Sequence, residues 1–416
     1  MTEEVLQPEL RASNAIQAGI GTQDAMLKPR PERMTQVANP YHFGLGSPVL
    51  AAAAMDKRAI AAVVLFAIVV AAGSVASNPA SAAGGAGTVV GNVSVGGYPE
   101  WIAYDPSNGY LYVTLSDSGI VAVIDGATNA VVANVTDGTR PEGIAYDPSN
   151  GYLYVADHDL GAVSVIDGAT NLVVGNITVG DSPYAIAYDP SNGYLYVTHE
   201  LSVIVSVIDG ATNAVVGNVS VGMDSYGIAY DPSNRCIYVT NAYYSGTVAV
   251  IDEATSAVVG NVEVGNYPHG IAYDPSNGHL YVTNAYLPGT VSVIDGATNL
   301  VVENVTVGYY PYGIAYDPSN GYLYVTDFGS NAVSVTDGAT NSVLGNITVG
   351  DSPHGIAYDL SNGYLYVANS GSQSVSIVST TTSIPEFPGS LAFYTLLIGA
   401  LMALLVERRV GRQRSP

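Results

Sequence analysis

Cationic side chains are scarce in this chain of 416 residues, which carries 12 Lys and Arg against 35 Asp and Glu, a formal net charge of −23. Between residues 84 and 382 only Arg140 and Arg235 stand against 27 acidic residues, a net of −25. Such a surface repels phosphate backbones, so nucleic acid is excluded as a partner. Cysteine is nearly absent as well. Cys236 is alone, cannot form an internal disulfide, and is read as a small buried substitute at a place where most equivalent positions hold Tyr. Motifs of self-contained chemistry are also missing: there is no nucleophile elbow, HExxH zinc helix, phosphate-binding glycine loop or CxxCH haem site. An enzyme that draws its site from scattered residues is not excluded by that absence, but it gains no positive support.

What is present is one sentence written seven times. Tyr104-Asp105-Pro106-Ser107-Asn108-Gly109-Tyr110-Leu111-Tyr112-Val113-Thr114 returns with its aspartate at Asp147, Asp189, Asp231, Asp274, Asp317 and Asp359, at spacings of 42 or 43 residues. Each period holds four strand-like runs, in the second copy 142–147, 152–156, 162–167 and 172–179. Asp-Pro-Ser-Asn-Gly closes the first run and Asp-Gly-Ala-Thr-Asn the third. Pro presets φ and Asn-Gly accepts positive φ, so both segments reverse the chain as hairpin turns. Gly143 and Ala145 in the first run let backbones crowd around an axis, whereas Tyr152-Leu153-Tyr154-Val155 is apolar on both faces and must be covered on both sides.

The count decides between an open solenoid and a closed ring. The last copy stops after its third run, near 374–379, and the missing fourth run stands at the other end as Thr88-Val89-Val90-Gly91-Asn92-Val93-Ser94-Val95. A displaced strand serves only a closed ring. The pattern therefore predicts an all-β, seven-bladed β-propeller with four antiparallel strands per blade, closed by the N-terminal strand. At Tyr238-Val239-Thr240-Asn241 and Tyr281-Val282-Thr283-Asn284 the chain resembles the YVTN-type β-propeller repeat family. Other copies depart at the last position, with Leu115, Asp157, His199 and Asp327. The resemblance implies the fold over about residues 88–380. It does not imply one activity, since such propellers include lactonases, lyases and binding scaffolds.

The two ends point outside the cell. Residues 55–83 read as a secretory signal: Asp56-Lys57-Arg58, an apolar stretch over 59–72, and Ala80-Ser81-Ala82 before the cut. Met55 is then the expected start, and 1–54 a leader with neither repeat nor periodicity. In the segment 383–416, Pro385-Glu386-Phe387 precedes an apolar span over 391–406, and Arg408, Arg409, Arg412 and Arg414 follow. Basic residues after the span place that end in the cytoplasm. The tail resembles the archaeal Pro-Glu-Phe C-terminal sorting signal, which implies a sorting protease and a cell-surface protein resembling archaeal surface-layer proteins. The lack of lysine between residues 84 and 382 fits salty surroundings or a surface bathed in cations.

Two sets of residues are candidates for chemistry. N-x-[ST] sequons recur on the fourth run at Asn92, Asn134, Asn176, Asn218, Asn304 and Asn346, either as glycosylation sites or as the copied polar face of a strand. The residue opening the first run varies between copies as Glu100, Glu142, Tyr184, Tyr226, His269, Tyr312 and His354, a candidate ligand rim at the channel mouth. Loops between the second and third runs add Asp157-His158-Asp159, His199-Glu200 and Tyr243-Tyr244. Among these, His158, His199, His269 and His354 with the two rim glutamates are of metal-ligand type, calcium or manganese being favoured by the oxygen donors. No other cofactor is expected. The leading expectation is a non-catalytic extracellular scaffold or adhesion module, meeting cell-envelope proteins or glycans and held to the membrane by its C-terminal span. The alternative is a metal-assisted lactonase or lyase centred on Glu100, Glu142, His269 and His354.

Overall fold

The computed structural model describes residues 86–242 and 246–380. The expected leader, signal, sorting tail and span lie outside those residues, as do Tyr243 and Tyr244. Among the described residues no helix is long and apolar enough to cross a membrane.

Twenty-eight strands form seven antiparallel sheets of four. Six sheets are consecutive in sequence, and in each the strands run from inner to outer in chain order. The seventh combines three C-terminal strands with the first strand of the ring, Thr88–Ser94, which pairs antiparallel with Ser374–Ser379 so that Val93 lies opposite Val375 and Asn92 opposite Ser376. In blade 2 the strands are Pro141–Asp147, Tyr152–Asp157, Ala162–Asp167 and Leu172–Thr178. The inner strand begins one residue earlier than the sequence pattern shows, because Pro at a strand's first position removes no ladder hydrogen bond.

Burial follows the position of each strand in its blade. Leu153, Tyr154, Val155 and Ala156 are inaccessible, as expected of a strand covered on both faces, while the outer strand is exposed except at the half-buried Val173 and the buried Ile177. The core is accordingly divided into seven layers, each lying between neighbouring blades. Tyr154, Val165 and Ile177 of blade 2, for instance, pack with Ile186, Leu195 and Ile208 of blade 3. The inner-strand glycines are required by crowding at the axis: a Cβ on Gly227 would run into the His269 carbonyl of the next blade.

The repeated turn explains both the reversal and the seam. Asp105 Oδ1 accepts from the Ser107 amide at 2.8 Å and hydroxyl at 2.7 Å, and Asn108 Oδ1 accepts from the Tyr110 amide at 2.8 Å. Asn108 Nδ2 then donates to the Gly168 carbonyl of blade 2 (3.0 Å), and the buried Tyr112 hydroxyl donates to Asn171 Oδ1 (2.8 Å). Blade 7 makes the same staple to blade 1, through Asn362 to the Gly126 carbonyl at 3.0 Å and Tyr366 to Asn129 at 2.8 Å. The invariant Tyr thus covers the core with its ring and links blades with its hydroxyl. Cys236 is half-buried rather than buried: it takes the Tyr place at the start of a second strand, beside the turn, where even the tyrosines are partly exposed.

Candidate binding face at the channel mouth

The residue that opens each inner strand is placed by two features of the sequence. In every blade but the first the following Gly or Ala lets the inner strands approach, and where the second strand reads Tyr-Val-Thr its Thr can tie adjacent blades. Thr240 Oγ1 accepts from the Gly227 amide at 2.7 Å and donates to the His269 carbonyl at 2.9 Å; Thr283 makes the same link to the Tyr312 carbonyl at 2.7 Å. Tyr226, His269, Tyr312 and His354 are thereby carried on a backbone fixed to two blades at once, whereas Ala156 and Ala368 take the Thr place in blades 2 and 7.

All seven rim positions converge, but as two unlike arcs. Along blades 3 to 7 the arc is aromatic: Tyr184 meets Tyr226 edge-on at 4.9 Å, Tyr226 stacks on His269 at 4.6 Å, His269 meets Tyr312 at 4.3 Å, and Tyr312 stacks on His354 at 4.8 Å. Along blades 1 and 2 it is acidic. Glu100 contacts His354 Nδ1 at 2.8 Å, and Glu142, 3% exposed, contacts Arg140 Nε at 2.9 Å. Burial, together with the charges of Glu100 and Glu200, outweighs that guanidinium and pushes the Glu142 carboxyl up to about 8, so it holds its proton at neutral pH. His269 is the opposite case. Burial, reinforced by His354, pulls it down to about 3 and keeps the imidazole neutral, with its Nε2 3.4 Å from the Tyr184 hydroxyl.

Trp101 and Phe328, outside the expected set, and Glu200, one of the expected loop residues, complete the mouth. Trp101 occupies the place where most blades have Gly, and its ring meets Tyr184 edge-on at 6.3 Å. Beneath it a cavity of about 180 Å³ is lined by the inner-strand glycines and isoleucines, so the tryptophan narrows the entrance to the channel. Glu200 joins the rim to the loops, 3.3 Å from the Tyr226 hydroxyl and 3.0 Å from His158 Nε2. Phe328 packs against both Tyr312 and His354. The signal for Trp101 was available, as a departure from Gly in an aligned repeat; the other two lie in loops whose convergence only the ring closure creates.

The histidines do not form one centre. His199 is not at the mouth: it is fully buried inside blade 3, bonded to the Asp181 carbonyl at 2.8 Å and to the Ser206 hydroxyl at 2.9 Å, because its strand position points between blades. His158 sits among Asp159 and Glu200, away from His269 and His354. Among the described residues no group of three His, Cys, Asp or Glu converges to hold a metal ion. The residues at the mouth can bind by aromatic contact, by hydrogen bonding and by negative charge.

The sequon asparagines are exposed on the outer strands, and five of them are oriented by a third-strand serine, as Asn176 Oδ1 is by the Ser164 hydroxyl at 2.9 Å. Asn134 faces Ala122 instead.

A family model for the NHL repeat matches residues 266–286, a short stretch of blade 5. No curated protein matches the chain. Among solved structures, hydrazine synthase of Kuenenia stuttgartiensis is similar with a TM-score of 0.64 at 20% identity, over 69% of this chain and 96% of that one. At that identity the likeness concerns the fold alone. Since 1767 solved chains match, the scaffold is too widely shared to choose an activity.

Proposed function

We propose that this protein is a non-catalytic β-propeller of the cell envelope, exported from the cell and acting as a scaffold or adhesion module whose partners dock at the channel mouth. One observation carries the reading: where the rest of each blade is copied, the seven rim positions are individualised, and they assemble into an aromatic arc beside an acidic one. The signal-like segment 55–83 and the Pro385-Glu386-Phe387 tail with its span over 391–406 support export, handling by a sorting protease and membrane attachment. The YVTN-type repeats and the resemblance to archaeal surface-layer proteins agree with that setting, and exposed sequons suit a glycosylated outer wall. Partners are envelope proteins or glycans. The lactonase or lyase alternative would need Glu100, Glu142, His269 and His354 to gather around a cation, whereas Glu142 contacts Arg140 and Glu100 contacts His354.

The test uses the full chain. Binding to isolated cell envelopes is compared between wild type and a His269→Ala/His354→Ala variant, beside a lactonase and lyase panel with added calcium or manganese. Envelope binding that weakens in the variant, with no turnover in either protein, is the expected result. Metal-dependent turnover lost in the double variant would overturn it. N-terminal sequencing of the surface form is expected to start near Ala83.

A further inference from the structure

A second concavity opens beside the rim, across blades 4, 5 and 6. It has a volume of about 350 Å³, and its walls include Tyr226, Tyr267, His269, Tyr286, Tyr310 and Tyr312. Five phenol rings and one imidazole surround it. Tyr267 and Tyr286 stack on each other at 5.7 Å while remaining 54% and 53% exposed, an arrangement that leaves ring surface open to a ligand. Tyr267 and Tyr310 also hold φ of 53° and 52°, a left-handed conformation unusual for a bulky side chain, at a position where Ser182 and Ser352 serve other blades.

We propose that this pocket binds an alkylammonium cation, the side chain of a partner's lysine or a free amine of that size. The assignment rests on the reading of the mouth as a binding face and names its ligand. The first argument is the rings: tyrosine faces carry negative potential and attract a cation within about 6 Å. The second is charge. Neither cationic residue of the ring lines the pocket: Arg140 lies in blade 2 and Arg235 is bonded to Glu253 at the turns. Burial first, and then the charges of Glu200 and Asp224, disfavour ionisation of Tyr226, so two carboxylates act on the wall without lining it. The third is His269. Its ring lines the pocket, is only 7% exposed and is held neutral by burial, so it adds an uncharged aromatic face and no competing positive charge. An anion would need that imidazole charged, and a neutral sugar would need more polar groups than the walls supply.

Calorimetry on the full chain compares butylammonium with butanol, its neutral counterpart. Butylammonium is expected to bind ~5- to 100-fold more tightly, since two or three cation–π contacts of ~0.5–1 kcal/mol each sum to about 1–3 kcal/mol, against 1.4 kcal/mol for a factor of ten. Tyr267→Ala and Tyr286→Ala, both exposed, should each weaken binding several-fold, while Tyr→Phe at the same positions keeps it. Equal binding of butanol, or indifference to both Ala variants, would overturn the proposal. A lysine-containing peptide that binds more tightly than butylammonium identifies a protein source, and equal binding identifies a free amine. If amines fail while envelope binding still depends on His269 and His354, the ligand assignment alone falls; if envelope binding ignores the mouth, the parent reading falls with it.

Discussion

At the turn face, one set of hydrogen bonds is made around nearly the whole ring; at the mouth, equivalent positions hold two glutamates, three tyrosines and two histidines. The turn face joins blades by side chain to backbone and Tyr to Asn contacts that repeat at five of seven seams. The mouth joins them through Thr hydroxyls and then leaves the side chains free to differ. Repetition at one face supplies a rigid frame, and that rigidity lets the other face vary without loss of fold.

The largest expected effect tests the frame at its weakest point. Deleting 88–94 strips blade 7 of its outer strand and exposes Val375 and Ile377, which pack with Val93. Six ladder positions and the Val93 burial go together, so the loss should be on the order of 4 kcal/mol or more. Denaturant unfolding of wild type and the deletion measures it. A loss below ~1 kcal/mol would mean that the staple from Tyr366 to Asn129 suffices to hold the ring closed.

Next is a place where the copying fails inside the core. Six blades have Val after the outer strand, yet blade 1 is followed by Asp137. Burial, partly offset by the Ser164 hydroxyl and aggravated by Asp157, pushes its carboxyl up from 3.8 to about 7. A raised acid is protonated more readily in the folded state. Its contribution is therefore favourable at low pH and is lost as pH rises from about 4 to about 7. Asp137→Val should stabilise the protein by ~1–3 kcal/mol at neutral pH and flatten the stability profile across that window. Thermal melts between those pH values check both.

How much of this was legible is best seen residue by residue. The period, the Asp-Pro-Ser-Asn turn and the displaced first strand gave the architecture, because each is a local pattern with one geometric meaning. The rim was legible for a similar reason: aligning copies shows Glu100 and its equivalents varying where neighbours do not. Tyr267 and Tyr310 could have been found the same way, as the residues before the inner-strand Pro. Glu200 was found as a loop candidate, but Tyr286 and Phe328 could not be, since their meeting with other residues of the mouth depends on loop conformations that no repeat fixes. His199 misled because its residue type suggested a ligand, while its strand position pointed it between blades.

A smaller effect sharpens the comparison at the seams. Tyr154 donates to Asn213 at 2.7 Å across the blade 2 to 3 seam, whereas Tyr196 meets blade 4 at Ser256, which replaces the Asn. Its hydroxyl accepts from Asn192 Nδ2 of its own blade, at 3.4 Å. Tyr154→Phe should cost about 1 kcal/mol and Tyr196→Phe less than half of that. Equal losses would show that the hydroxyl matters for reasons other than the staple.

The smallest effect concerns what blade 4 has in place of that staple. Arg235 and Glu253 occupy the two turn positions at which the other complete blades have Gly, and they bond to each other, with Arg235 Nε 2.8 Å from Glu253 Oε1. Glu253 also accepts from the Tyr230 hydroxyl at 2.8 Å and, across the seam, from Ser191 of blade 3 at 2.9 Å. Burial resists its ionisation, but those hydrogen bonds and the Arg235 charge hold its carboxyl below the ordinary range. The two substitutions therefore make sense only together. Arg235→Gly alone leaves a nearly buried carboxylate near Asp189, so it should lower the melting temperature more than Glu253→Gly, which frees an exposed guanidinium. Combining them restores the Gly-Gly turn of the other blades and should recover most of the loss. The sign with pH follows from the depressed carboxyl: the coupling is present above the ordinary carboxylate value of 4.5 and disappears as pH falls through the lower folded value. A double-variant cycle by thermal melts at neutral and acid pH reads both features. Additive losses at neutral pH would mean that the pair is two independent changes at a tolerant turn rather than one alternative clasp.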